Sequence, residues 1–264
     1  MQRRVVDSNR RNGIRQGSVV TLRVTPNPGL RLFFFPHAGG SAASFRGWPA
    51  HLPMDAACYA IQLPGRGDRL REPPFTALTA LVDNLAIEMQ PWLQPPFVFF
   101  GHSMGALIAF ELTRRLQAMR VPTPVHLFVS GRGTPDRRST RRRLYDLPDE
   151  ELIEEVDRLG GLPGSVRADA ELMHLLLPTM RADFSVTQTY VFAPGPPLEC
   201  PITALGGTHD PDVAIDQIAG WRDHTTRTFT MHVIEGDHFF VDSSMLRVCG
   251  ILFKTLSRIL QITA

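Results

Sequence analysis

The chain is poor in cysteine, has a single lysine and contains no long apolar run, and each shortage closes off a class of function. Three cysteines, Cys58, Cys200 and Cys249, show no C-x-x-C spacing and cannot pair evenly, which argues against a disulfide framework and a zinc site. Reduced thiols in the cytoplasm are the reading that remains. No stretch approaches the roughly 20 apolar residues of a membrane span, so membrane insertion is not expected. Charge of one sign is also missing: 28 Lys and Arg against 26 Asp and Glu leave a formal net charge of +2. Nucleic-acid binders carry a strong, clustered basic excess, so no nucleic-acid partner is expected. Apart from Lys254 the basic residues are all arginine, which reads as a compositional habit. Residues 1–18 hold Arg3, Arg4, Arg10, Arg11 and Arg15 without the apolar core of a secretory signal. They are expected to form a disordered lead-in.

What is present suits one α/β domain over residues 19–264. A length of 264 residues, 43% hydrophobic and 20% charged, is ordinary for a globular chain with a sizeable core. Apolar runs at Val19–Val24, Leu30–Phe35, Ala57–Leu63, Phe97–Gly101, Val125–Ser130, Ile202–Gly206 and Thr228–Ile234 read as strands. Their continuity is that of strands covered on both faces of a mostly parallel sheet. Helical periodicity predicts helices over Leu78–Leu93, Met104–Met119, Ala214–Trp221 and Ser243–Leu260. The alternation stops from about 133 to 197. There, one helix is predicted near Asp149–Leu159, with an acidic start and Gly160-Gly161 at its end. A second, over Ala168–Phe184, is expected to break at Pro178. Its apolar surface needs something to cover, so the insertion reads as a lid over the C-terminal ends of the strands, where open α/β sheets place their sites.

Phe97–Phe100 leads into Gly101-His102-Ser103-Met104-Gly105 and then a long amphipathic helix, which is strand, sharp turn and helix with G-x-S-x-G spacing. Side chains two residues either side of Ser103 would collide across such a turn, so glycine is needed at both places. Ser103 is then pushed out as a nucleophile at a helix N-terminus, where the N–H of Met104 can donate to a developing oxyanion. His102 reads as a packing residue. A serine needs a base, and the base an orienting acid, in the chain order Ser, Asp, His for this fold. Of His126, His174, His209, His224, His232 and His238, only His238 sits in a short loop between a late strand and the last helix. Asp210, following Ile202–Gly206, is the preferred acid, with Asp212 the alternative. The loop Pro36-His37-Ala38-Gly39-Gly40 after an early strand is suited to supply the second oxyanion N–H, that of Ala38, with His37 as a wall residue. No ligand cluster or phosphate loop is visible, so no metal or cofactor is expected.

Phe35–Gly40, Leu63-Pro64-Gly65-Arg66 with Asp68-Arg69, Phe100–Ala106, Leu177–Phe184 and Gly236-Asp237-His238-Phe239 together resemble the type II thioesterases of polyketide and nonribosomal peptide synthesis, members of the α/β-hydrolase superfamily. The resemblance runs from about Leu30 to Phe240. It implies a stand-alone enzyme that hydrolyses acyl groups from the phosphopantetheine arm of acyl and peptidyl carrier proteins, the arm arriving with the substrate; a cytoplasmic monomer is expected. Small acyl thioesters are the other expected ligands. Release of a finished fatty acyl chain and general carboxylester hydrolysis are the alternatives. Arg132, Arg137, Arg138, Arg141, Arg142 and Arg143 at the start of the insertion read as a solvated loop, with docking of an acidic carrier protein as the functional alternative.

Overall fold

A computed structural model of the chain describes residues 15–137, 142–162 and 164–263. The Phe-rich apolar runs become the middle of one sheet. Its strands are β1 (Arg15–Gln16), β2 (Val19–Arg23), β3 (Leu30–Phe35), β4 (Ala56–Ile61), β5 (Phe97–His102), β6 (His126–Ser130), β7 (Ile202–Gly207) and β8 (Phe229–Ile234). They lie in the order β1-β2-β4-β3-β5-β6-β7-β8. β2 runs antiparallel to β1 and β4, and every pair from β4–β3 to β7–β8 is parallel. Successive side chains point to opposite faces. Phe33, Phe35, Phe97 and Phe99 therefore join one buried cluster, and Leu32, Phe34, Val98 and Phe100 another. A strand buried on both sides can be apolar throughout, which is why these runs show no alternation in sequence.

The helices are α1 (Leu78–Glu88), α2 (Met104–Met119), α3 (Asp149–Arg158), α4 (Gly164–Arg167), α5 (Ala170–Gln188), α6 (Ile215–Ala219), α7 (Phe240–Ser243) and α8 (Met245–Thr263). α1 and α2 pack on the Phe33 face and α8 on the Phe34 face, giving the layers of an α/β-hydrolase fold. Between β6 and β7 lie α3, α4 and α5, whose Leu152, Val156, Met173, Leu177 and Met180 form a third cluster of their own. None of the helices is long and apolar enough to cross a membrane, among the described residues.

Four expectations are corrected. Arg15 and Gln16 pair with Val20 and Val19, so residues 15–18 are part of a hairpin and not of a disordered lead-in. Residues 1–14 lie outside the described residues. The polar Ser18 is buried there because it bonds Glu88 at 2.5 Å and Arg69 at 2.7 Å, partners remote in sequence. The predicted helix over Leu78–Leu93 ends at Glu88, and a 3₁₀ turn containing Pro91 follows. The one predicted over Ala214–Trp221 shortens to α6 and runs into a 3₁₀ turn, Gly220–His224. Finally, α5 does not break at Pro178. Proline removes one helix hydrogen bond and crowds the preceding turn. Here the turn after it is held from outside: the Thr179 hydroxyl donates to Gly65 O at 2.5 Å, and Asp183 is paired with Arg66.

Candidate active site

Ser103 follows the last residue of β5 and precedes α2, in the strand-to-helix turn anticipated for it. Its backbone has φ 54° and ψ −113°, outside the ordinary regions for a residue with a side chain. The surroundings hold it there. Ser103 N donates to Ser130 O at the end of β6 at 2.7 Å. A Cβ on Gly101 would lie 2.1 Å from Gly105 O, as a collision across the turn requires. Gly105 is needed for a different reason: its Cβ would lie 2.0 Å from Phe35 O, on the neighbouring strand. The elbow is therefore wedged between its own helix and β3.

His238 lies in the loop between β8 and α7, and its side chain reaches back over the sheet edge. Its Nε2 is 3.0 Å from Ser103 Oγ and its Nδ1 is 2.8 Å from Asp210 Oδ2. Asp210, just after β7, has a fully buried carboxylate, and its other oxygen accepts from the N–H groups of Asp212 at 2.9 Å and Val213 at 3.2 Å. Asp210, the preferred acid, thus faces the imidazole. Three of the other candidate histidines are engaged elsewhere: His126 with Thr203 inside the sheet, His209 with Thr208, and His224 beside Asp136.

His102 and His37 line the underside of this chain of bonds. The His102 ring stands 5.3 Å from that of His238, with its Nδ1 3.0 Å from Ser130 Oγ. Burial pushes its pKa well below the usual histidine value, reinforced by the two neighbouring histidines. His37 is also lowered by burial, and its Nδ1 is 3.0 Å from the carbonyl oxygen of Ala38. Both rings are neutral near pH 7, so neither adds a competing positive charge beside His238.

Met104 opens α2, so its N–H belongs to the first turn, which has no acceptors within the helix. Ala38 follows β3, and both Ala38 and Ser103 line a cavity of about 250 Å³. The cavity is also walled by Val156 and Leu159 of the helical segment between β6 and β7, by Phe184 and Gln188 of α5, and by Phe239. Asp210, Asp212 and His238 each bring one potential metal ligand within 4.8 Å of the others. Two of the three are already hydrogen-bonded to each other, which makes the set an acid–imidazole pair with a carboxylate nearby. Of the arginine cluster, Arg138 and Arg141 lie outside the described residues. Arg137 pairs with Asp216 at 2.9 Å, Arg142 with Glu151, all four side chains exposed.

One cluster beside the site had no signal in composition or spacing. Asp183 of α5 and Arg66 of the loop after β4 form a buried ion pair that also contacts Gly39. The two residues are 117 positions apart, and a charged side chain on a helix is read by default as solvent-facing.

A serine on a strand-to-helix turn, an acid after β7 and a histidine after β8, above a mostly parallel sheet, is the arrangement of the α/β hydrolases. Residues 30–256 match the thioesterase domain family, and the chain belongs to that family. It is 44% identical over 231 residues to the gramicidin S biosynthesis protein GrsT of Aneurinibacillus migulanus, covering 88% of this chain and 90% of that one. Among solved structures it is similar to the type II thioesterase BorB from the borrelidin biosynthetic cluster, with a TM-score of 0.84, 35% identity and coverage of 93% of this chain and 98% of that one. The type II thioesterase YbtT from the yersiniabactin NRPS/PKS pathway matches with a TM-score of 0.81 and 32% identity, covering 93% of this chain and 99% of that one. The chain is a hydrolase acting on thioesters.

Proposed function

We propose that the chain is a type II thioesterase that clears acyl groups from the phosphopantetheine arm of acyl and peptidyl carrier proteins, with Ser103, His238 and Asp210 as its catalytic triad. The observation that carries the reading is the unbroken path from Asp210 Oδ2 through the imidazole to Ser103 Oγ, with contacts of 2.8 and 3.0 Å. Ser103 Oγ attacks the thioester carbonyl while His238 Nε2 takes its proton. The same proton passes to the departing sulfur as the C–S bond breaks. Water, deprotonated by Nε2, then attacks the acyl-serine, and as the C–Oγ bond breaks Nε2 returns the proton to Ser103 Oγ, which frees the acid. Asp210 accepts from Nδ1–H and stabilises the imidazolium, and the N–H groups of Ala38 and Met104 receive the oxyanion. The helical segment over about 133–197 serves as the lid of the acyl chamber. The phosphopantetheine belongs to the substrate, and the enzyme acts as a cytoplasmic monomer needing no cofactor of its own.

The test has two arms. A fluorophosphonate should label Ser103, read by peptide mass, and leave the Ser103→Ala variant unlabelled. Acyl-carrier thioesters should be hydrolysed faster than oxygen esters of the same acyl group. Preference for the oxygen esters would replace this reading with a carboxylester hydrolase, and absence of labelling would remove the triad.

A further inference from the structure

The buried pair Arg66–Asp183 sits where three parts of the molecule meet. Asp183 lies on α5, past Pro178, with its side chain 3% exposed, and Arg66, 4% exposed, follows β4. The two form a fork: Arg66 Nη1 donates to Asp183 Oδ2 and Nη2 to Oδ1, both at 2.7 Å. A pair so placed is expensive to desolvate and is a poor choice for stability alone. Asp183 Oδ2 accepts a further bond at 2.7 Å, from the backbone N–H of Gly39. Arg66 Nη1 also donates to Gly40 O at 3.1 Å.

These bonds bear on the next residue along. The peptide joining Ala38 to Gly39 is held at both ends, its N–H by Asp183 and its carbonyl by His37 Nδ1 at 3.0 Å. Gly39 has φ +74°, a conformation that costs little only for glycine, so the turn needs external fixing to hold one geometry. The Ala38 N–H belongs to the preceding peptide, whose carbonyl, His37 O, accepts from Gly40 N–H at 3.0 Å, so with the Ala38–Gly39 peptide and Gly40 O also held, the whole turn and the direction of that N–H are fixed. We infer that Asp183 and Arg66 are positioning residues for the oxyanion donor of Ala38, and that they make this donor's alignment depend on the seating of α5. The inference rests on the reading of Ala38 as an oxyanion donor.

A donor mis-aimed by part of an ångström loses its grip on the tetrahedral state while leaving the planar thioester nearly unaffected. The experiment compares two inhibitors on each variant: an acyl trifluoromethyl ketone, which forms a tetrahedral adduct, and the matching non-hydrolysable thioether. Asp183→Asn leaves one neutral amide oxygen to serve donors that now use two carboxylate oxygens, and Arg66→Lys loses the fork. Each should weaken the ketone about 100-fold and lower kcat by a similar factor, with thioether affinity and KM little changed. The double variant Arg66→Met/Asp183→Leu removes both buried charges, so it should fold, yet its ketone affinity should stay low because Gly39 N–H has lost its acceptor. Arg181→Ala is the control. Its guanidinium bonds Tyr145 O, Leu147 O and Asp149, all within the helical segment, so the ratio of ketone to thioether affinity should not change. Equal weakening of both inhibitors, or recovery of ketone binding in the double variant, would overturn the inference. If the wild-type enzyme itself forms no adduct at Ser103, it is the proposed function that falls, and this inference with it.

Discussion

His238 Nε2 stands 3.0 Å from Ser103 Oγ although 135 residues separate them in the chain. A contact of that length between a ring nitrogen and a hydroxyl is already a hydrogen bond, so the resting geometry needs no rearrangement before proton transfer. Replacing Ser103 or His238 by Ala should lower kcat about 10⁶-fold, whereas Asp210→Asn should cost only about 10⁴-fold, because the imidazole keeps its position and loses only its orienting charge. Steady-state hydrolysis of an acyl thioester measures this. Near-wild-type turnover in Asp210→Asn would remove the acid from the mechanism.

The wedge at the elbow predicts opposite outcomes for two glycine-to-alanine changes. Gly105→Ala drives a methyl to 2.0 Å from the backbone oxygen of Phe35, which cannot swing aside, and should cost about 4 kcal/mol or more. In a chain of this size that lowers Tm by roughly 10 °C. Gly250, within α8, meets nothing within 4 Å, and Gly250→Ala should stabilise by about 0.5–1 kcal/mol. Thermal unfolding followed by circular dichroism distinguishes the two.

Acid should destabilise the protein through histidines that are buried uncharged. Burial pushes the pKa of His126 down from 6.5 to about 4, and His37 and His102 are lowered by the same cause. Between those values the unfolded chain takes up protons that the folded one refuses. The stability that His126 contributes is therefore complete above pH 6.5 and is lost as pH falls through 4, roughly 3 kcal/mol in all. Denaturant titrations from pH 7.5 to 4 should show this slope, and His126→Asn should flatten it. An unchanged slope in the variant would refute the assignment.

The helical segment should loosen independently of the sheet. Leu152 is fully buried in the cluster that α3 and α5 build, and that cluster shares no buried member with the two flanking the sheet. Leu152→Ala should cost about 2–4 kcal/mol locally. Limited proteolysis should then cut between residues 142 and 177 faster in the variant, while the main thermal transition moves little. Loss of both together would mean that the segment and the sheet unfold as one unit.

Much of this site was legible because its parts obey short-range rules. Gly101 and Gly105 announce the turn, the apolar strand before it sets the direction, and chain order points to His238 and Asp210, which the fold brings into one hydrogen-bonded line with Ser103. Even there the turn alone does not explain Gly105, since the atom it must avoid is Phe35 O on another strand. The features that escaped are set by partners far along the chain. Gln16 and Ser18 look like a polar lead-in until Val19, Glu88 and Arg69 are brought to them. Pro178 looks like a break until Thr179 and Asp183 are seen to be tied down. Composition and periodicity carry nothing about such long-range polar ties.

The separate apolar cluster of α3, α4 and α5 has an evolutionary consequence. Residues such as Val156 and Leu159 belong both to that cluster and to the cavity wall, but not to the packing that holds the nucleophile, imidazole and acid in register. Mutation at these two positions, away from the ties between α5 and the 36–40 loop, can therefore retailor which cargo fits while leaving the chemistry in place, which makes them the part of the molecule where descendants with new tastes would diverge first.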